Sequence, residues 1–355
     1  MDSLRGIAAL LVFGFHFWNI FLRKNFTPTQ DIFGFLSAGH LGVDMFFVLS
    51  GFLITLSFLF SKNVKSYFAR RLRRIVPLAW TSVIILFLFF QNFNPADLTD
   101  FWVHIGFGQS LFAEFYYGIN PVMWTLSVEM IFYLFVPLVF YFGKKDQRIF
   151  WGILLLLFGL NFLYRHAVQE LFPILERNQR IFVSEQFWGR FDQFFYGIIL
   201  AIGLLKKKHL PDFFKNHSLI WIGGGLAGIL LGFKLFSVLG GSFRDYPILQ
   251  IGLHSFFGLS FAAFLWGGIL RPQAVPQIKI FEFFGKISYG LYIWHFVVLD
   301  EIEKLSTEPI TAFILSISVT IILSQISWHI IEKPFLKRKD PEKISRNFRF
   351  FRKFF

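Results

Sequence analysis

Cysteine is absent from the chain, which excludes disulfides, a thiolate nucleophile and Cys-ligated zinc. Charge is scarce as well: only 16% of the residues are Asp, Glu, Lys or Arg, against about 25% in a soluble domain. No stretch reads as a soluble domain, a low-complexity segment or an internal repeat. What remains is apolar. Of the 355 residues, 55% are hydrophobic and 21% aromatic. Apolar stretches of spanning length recur from end to end, so the fold class is all-α, a polytopic helical membrane protein. The N-terminal run has no small-residue cleavage site and carries Arg5, so it is expected to be a mature helix rather than a signal peptide.

Ten spans account for the hydropathy, near 3–22, 42–60, 75–92, 124–142, 149–164, 187–205, 218–237, 249–270, 283–303 and 309–332. Segment 101–118 is too polar for a span and is expected to be interfacial or re-entrant. The loops agree with an even count, because Lys and Arg gather in alternate loops. Lys62, Lys65, Arg70, Arg71, Arg73 and Arg74 fall in 61–74, Lys144, Lys145 and Arg148 in 143–148, and Lys206, Lys207, Lys208 and Lys215 in 206–217. The opposite loop 92–123 has none. Both termini are therefore expected in the cytoplasm, with a membrane domain over 1–335 and a basic cytoplasmic tail over 336–355. The net charge of +13 follows from these loops and the tail, so its expected partner is anionic membrane lipid, not nucleic acid. The Phe- and Arg-rich end at 348–355 reads as an interfacial anchor.

Ionisable residues inside such spans are the first functional candidates, since charge at membrane depth is costly. Arg5 and His16 share the first span. Their spacing makes about three helical turns, so both fall on one face, roughly 16 Å apart along the axis. Arg5 then lies near the inner surface and His16 deep inside. The structural alternative is an arginine snorkelling to the headgroups and a histidine satisfied by a neighbouring helix. With both termini inside, Glu129 on the fourth span comes out near the depth of His16. Ser288, Tyr292 and His295 form one polar stripe on the ninth. Ser50 falls at a similar level, and Asp44, Arg190 and Asp192 close to the outer edge. Polar groups at those depths need a shared internal cavity rather than lipid. Interhelical hydrogen bonding is the other reading of the stripe, and a structural ion pair is the other reading of Arg190 with Asp192.

The constellation carries a family resemblance. Leu4-Arg5-Gly6-Ile7-Ala8-Ala9 leading to His16, and then the run from Gly42 through Asp44 and Ser50 to Ile54, resemble the membrane-bound acyltransferase family 3. That family includes bacterial O-antigen and exopolysaccharide O-acetyltransferases. Four more blocks match in order: Arg70-Arg71-Leu72-Arg73-Arg74-Ile75-Val76-Pro77, Trp124 to Glu129, Ser288 to His295, and Ile331-Glu332-Lys333-Pro334-Phe335. They run from residue 2 to 335.

The resemblance implies acyl transfer from a cytoplasmic acyl-CoA, with acetyl-CoA the expected donor, to a hydroxyl of a cell-envelope saccharide or lipid-linked acceptor in the bacterial inner membrane. It marks Arg5 and His16 as a functional pair, and Arg71 with Arg74 as a second basic motif. The physical reading agrees. Arg70, Arg71 and Arg74 supply cations for the CoA phosphates, although positive-inside topology alone also explains their charge. His16 is then the base for the acceptor hydroxyl, or else the carrier of the acyl group. Glu129 orients the imidazole or replaces it as the base. Asp44, Ser50, Trp124, Arg190, Asp192, Tyr292 and His295 are the candidate acceptor-binding set. Interfacial anchoring is the alternative for Trp124. No metal is expected. Family members often carry residues ahead of the block that here begins at Met1. No extracytoplasmic hydrolase-like domain follows the tenth predicted span, so the acceptor step is expected in the membrane domain or in a separate extracytoplasmic transferase. The chief alternative is a proton-coupled transporter or flippase of a lipid-linked or small acylated substrate. Buried His, Glu and Asp suit it too, but no inverted repeat supports it.

Overall fold

The computed structural model describes residues 1–23, 34–90, 93–144, 146–239, 247–276, 278–305 and 308–337. The predicted basic tail beyond 337, with its aromatic anchor, lies outside the described residues. In chain order the α-helices are α1 (Asp2–Phe17), α2 (Leu41–Leu59), α3 (Val64–Phe90), α4 (Pro95–Ile105), α5 (Trp124–Gly143), α6 (Gln147–Leu171), α7 (Arg177–Ser184) and α8 (Phe187–Leu205). They continue as α9 (Asp212–Asn216), α10 (Ser218–Leu239), α11 (Pro247–Leu270), α12 (Lys279–Lys286), α13 (Ser288–Glu303), α14 (Pro309–Ser327) and α15 (Lys333–Lys337). No strand interrupts them among the described residues. The chain is a polytopic helical membrane protein.

Eight helical segments among the described residues are long and apolar enough to cross a membrane: Asp2–Leu22, Leu41–Leu59, Val64–Phe90, Pro121–Gly143, Gln147–Leu171, Ser218–Leu239, Ile251–Leu270 and Pro309–Leu336. The predicted spans at 187–205 and 283–303 correspond to α8, whose first turns carry Arg190, Asp192 and Gln193, and to α13. Helix α13 has only 16 residues. Its predicted span is divided, because the chain turns at Ile287 between α12 and α13 (φ −100°, ψ 9°). Segment 101–118 is no span. An Asn94–Asp97 capping box and Pro95 start α4, which stops after 11 residues, roughly 16 Å of helix against a bilayer core of about 30 Å.

The basic segment 61–74 is not a loop as expected. It is mostly the first part of α3, a single helix of 27 residues and roughly 40 Å. Lys and Arg are good helix formers whose stems lie along apolar surface, so the charges do not end the helix. As a result its arginines acquire fixed helical faces. Pro77 sits inside α3, and the Thr81 hydroxyl donates to its carbonyl at 2.7 Å.

Helix α2 is the most buried of the eight segments. It crosses α8 where Gly51 meets the Phe194 backbone and Gly197 meets that of Val48, approaches with no room for a Cβ. Stacked rings carry the core onward: Phe194 lies 4.3 Å from Phe132 on α5 and 4.8 Å from Phe47 on α2, centroid to centroid. The start of α1 is clamped similarly. A Cβ on Gly6 would stand 2.5 Å from the Phe281 carbonyl of α12, and Gly285 abuts the Asp2 backbone. This contact fixes Arg5 over the start of α13. At its other end α1 runs into a π-helical turn, Trp18–Leu22, which starts two residues after His16. Such turns are rare and frequent at functional sites.

Candidate active site

A small cavity of about 90 Å³ opens between α1, α2, α3, α5 and α13. Arg5, Arg71, Arg74 and Glu129 line it, with Ser50, Thr125, Ser288, Tyr289 and Tyr292 as further polar groups and Phe46, Phe47 and Leu53 among its apolar walls. Arg71 and Arg74 are three residues apart, so one face of α3 presents both. An Arg71 Nη2 hydrogen donates to the Leu53 carbonyl at 2.7 Å, and its guanidinium lies 6.0 Å from the Tyr133 ring centre. The Arg71 Nε is buried without a partner. Among the described residues no carboxylate forms an ion pair with Arg71 or Arg74. Arg5 has only the exposed Asp2, at 2.8 Å. Arg70 departs from expectation. One helical step turns it away from the cavity, and it donates to the Ser57 carbonyl at 3.3 Å and to the Ser61 hydroxyl at the end of α2. A cation there offsets the unpaired carbonyls of a helix C-terminus.

Glu129 belongs to this cavity. One of its carboxylate oxygens, Oε1, accepts from the Ser50 hydroxyl at 2.9 Å and the Tyr133 hydroxyl at 3.1 Å. Its expected contact with the His16 imidazole is not formed, and His16 is not part of the cavity lining. The helices explain the separation. Thr125, one turn before Glu129 on α5, donates to the Tyr292 hydroxyl at 2.8 Å, and His295 is a further turn beyond Tyr292. Glu129 therefore sits about two turns, or about 10 Å, on the Arg5 side of the histidine level.

At that level the half-buried His16 packs against His295, ring centres 5.2 Å apart, with Phe296 and Phe15 at 5.1 Å on other sides. His295 is 1% exposed. Tyr292 separates the two levels: its hydroxyl donates to the Val122 carbonyl at 3.0 Å, and its ring lies 5.7 Å from both Phe46 and His295. Trp124 stands beside them, stacked on Tyr116 and edge-on to Phe47.

The other predicted charges form a separate buried cluster. Asp44 receives Arg190 Nη1 at 2.8 Å on one oxygen and lies 2.8 Å from His254 Nδ1 on the other. Arg190 also pairs with Glu185. Asp192 pairs with Arg165 at 2.9 Å, and Arg165 donates as well to the carbonyls of Gly189 and Ile251. The alternative reading of Arg190 and Asp192 as an ion pair with each other is not met: they take different partners, because residues two apart on a helix point to different sides. Arg165, Glu185 and His254 were invisible to pattern reading. The signal for Arg165 was its place one residue past a predicted span end, since α6 continues to Leu171. No group of three or more His, Asp or Glu among the described residues is set to hold a metal.

A helical membrane protein with an internal arginine-lined cavity and a histidine pair beside it is the class defined by these features. The chain belongs to the acyltransferase 3 family: the family model, described as an acyltransferase domain, matches residues 1–329. O-acetyltransferase OatA of Staphylococcus aureus strain NCTC 8325 / PS 47 is 27% identical over 339 residues, covering 85% of this chain and 53% of that protein. A protein of Staphylococcus aureus strain COL, provisionally named an O-acetyltransferase, is 26% identical over 384 residues, covering 95% of this chain and 57% of its own length. The chain thus spans about half the length of the curated relatives it matches. No solved structure matches it.

Proposed function

We propose that this chain is a membrane O-acetyltransferase that moves an acyl group, chiefly acetyl, from cytoplasmic acyl-CoA to a hydroxyl of a cell-envelope saccharide or lipid-linked acceptor. The observation that carries the reading is the convergence of Arg5, Arg71 and Arg74 on one cavity, with no carboxylate among the described residues paired to Arg71 or Arg74. Cations held inside a membrane domain call for an anion, and guanidinium forks match phosphate oxygens. CoA brings its phosphates at one end and a thin, amide-bearing arm behind them. Glu129 would accept from an amide N–H of that arm. Tyr292, packed edge-on against Phe46, stands between the cavity and His16, so the arm reaches His16 when the Tyr292 side chain moves aside.

At His16 the acceptor hydroxyl attacks the thioester carbonyl carbon while its proton passes to an imidazole nitrogen. The C–S bond breaks, the ester forms, and the CoA thiolate leaves with that proton. General-base help of this kind contributes about 10²–10⁴-fold. In this reading both termini and the basic loops face the cytoplasm, the host is the bacterial inner membrane, and residues 1–335 form the catalytic unit. A separate extracytoplasmic transferase is a candidate partner. The names of the relatives, both O-acetyltransferases, support the choice of acyl group and bond.

Purified protein in lipid nanodiscs, given acetyl-CoA and envelope glycan fragments, should release CoA thiol and place acetyl esters on the glycan. His16→Ala should do neither. Absence of acetyl-CoA turnover by the wild type, or full turnover by His16→Ala, would overturn the reading. Carriage of a labelled solute across vesicles without ester formation would favour a transporter instead.

A further inference from the structure

His295 is buried against the proposed base, and the mechanism so far gives it no task. Its Nδ1 lies 2.7 Å from the Tyr292 carbonyl and 3.1 Å from that of Leu291. Carbonyl oxygens only accept, so Nδ1 carries the hydrogen. In a neutral imidazole the other nitrogen is then a bare acceptor. That nitrogen, Nε2, is buried and has no hydrogen-bond partner. An unmet buried acceptor is unfavourable, so the site calls for a donor. The ring beside it is His16, at 5.2 Å between centres and tilted by 47°. The rings touch without a hydrogen bond in this geometry, and at this separation a rotation of the His16 ring brings one of its N–H groups to the His295 edge nitrogen. The other rings on His16, Phe15 and Phe296, carry no acceptor atom. The hydroxyl of Tyr292, whose ring packs on His295, is already held by Val122 and Thr125.

We propose that His295 is a positioning residue: its Nε2 accepts the N–H of His16, fixing the tautomer that leaves the opposite His16 nitrogen free to take the acceptor's proton. The inference rests on the reading of His16 as the base. Through the reaction the His295 Nδ1 hydrogen stays on the backbone carbonyls. The acceptor proton enters His16 on its free nitrogen, the resulting imidazolium strengthens its N–H bond to His295, and the departing thiolate takes the proton away. His295 ends as it began.

Two amide substitutions separate this role from packing. Glutamine at 295 carries its carbonyl at about the reach of Nε2, whereas asparagine reaches only the Nδ1 position. His295→Gln should keep kcat within about tenfold of wild type. His295→Asn should lower kcat by about 10²-fold or more, with the KM for acetyl-CoA unchanged in both, since the donor cavity is untouched. On the residual rate of His16→Ala, His295→Asn should add no further loss. Equal kcat for the two amides, a changed KM in step with kcat, or a full additive loss in the His16→Ala background would each overturn the inference. If His16→Ala is itself fully active, the base reading fails and this inference with it. If His16→Ala is inactive while His295→Asn is active, this inference alone fails.

Discussion

Two groups of buried charge in this chain use the same side chains and differ in what they face. In the paired group, Asp44, Glu185 and Asp192 each meet a guanidinium of Arg190 or Arg165, and His254 closes on Asp44. In the cavity group, Arg71 and Arg74 turn toward a cavity with Glu129 as its nearby anion, and Glu129 Oε1 accepts from Ser50 and Tyr133. A buried pair adds little net stability but is expensive to break, because the survivor is left charged and dry. Arg71 has a backbone carbonyl and an aromatic ring but no paired carboxylate among the described residues, so its charge is open to an anionic ligand. Pairing therefore separates the scaffold from the site more sharply than burial or residue type does.

That comparison predicts where activity and stability part company. The largest expected effect is on turnover: His16→Gln, which keeps hydrogen bonding but does not titrate near neutral pH, should lower kcat by about 10²–10⁴-fold with an unchanged melting temperature. Steady-state thiol release measures the first and thermal unfolding of the solubilised protein the second. A glutamine variant with near-normal turnover would make His16 a structural hydrogen bonder and pass the base role to Glu129. Next comes Asp44→Ala, which strips Arg190 of one carboxylate and His254 of its partner. It should cost about 3–5 kcal/mol of stability, read as a large fall in melting temperature. An Asp44→Ala protein as stable as the wild type, with donor binding lost, would merge the two groups and end the distinction. The smallest effect belongs to Tyr133→Phe. It removes one of two donors to Glu129 Oε1 and leaves Ser50, so a loss of about 1 kcal/mol in donor affinity is expected. Calorimetry with acetyl-CoA would detect it, and a loss of a hundredfold would promote Tyr133 to a principal ligand.

Much of the site could be read from residue order. Arg5, Arg71, Arg74, Ser50, Glu129 and Tyr292 do converge on one cavity, because helical spacing and span direction limit which faces can meet. Depth was harder to read. Counting residues from assumed membrane edges put Glu129 level with His16, yet the two spans keep their predicted limits and it is their common edge level that fails, which residue counting does not supply. The error moved Glu129 to the arginine cavity and left His16 with His295. Partners were hardest of all. Nothing in the spacing of Asp44, Arg165 and Arg190 says which carboxylate meets which guanidinium, since that depends on how α2, α6, α8 and α11 pack. Arg70 shows the opposite case, where a single helical step, legible once 61–74 is known to be helix, removes a residue from the site.

The central claim is that the cavity arginines are there for the donor's phosphates. The most direct measurement is the dissociation constant of acetyl-CoA for the purified protein and its Arg71→Gln/Arg74→Gln double variant, taken with the melting temperature of each. Charge-assisted hydrogen bonds contribute about 1.5–3 kcal/mol apiece, so affinity should fall by about a hundredfold or more while the melting temperature holds. An unchanged dissociation constant would contradict the account and reduce the basic cluster to a topology signal.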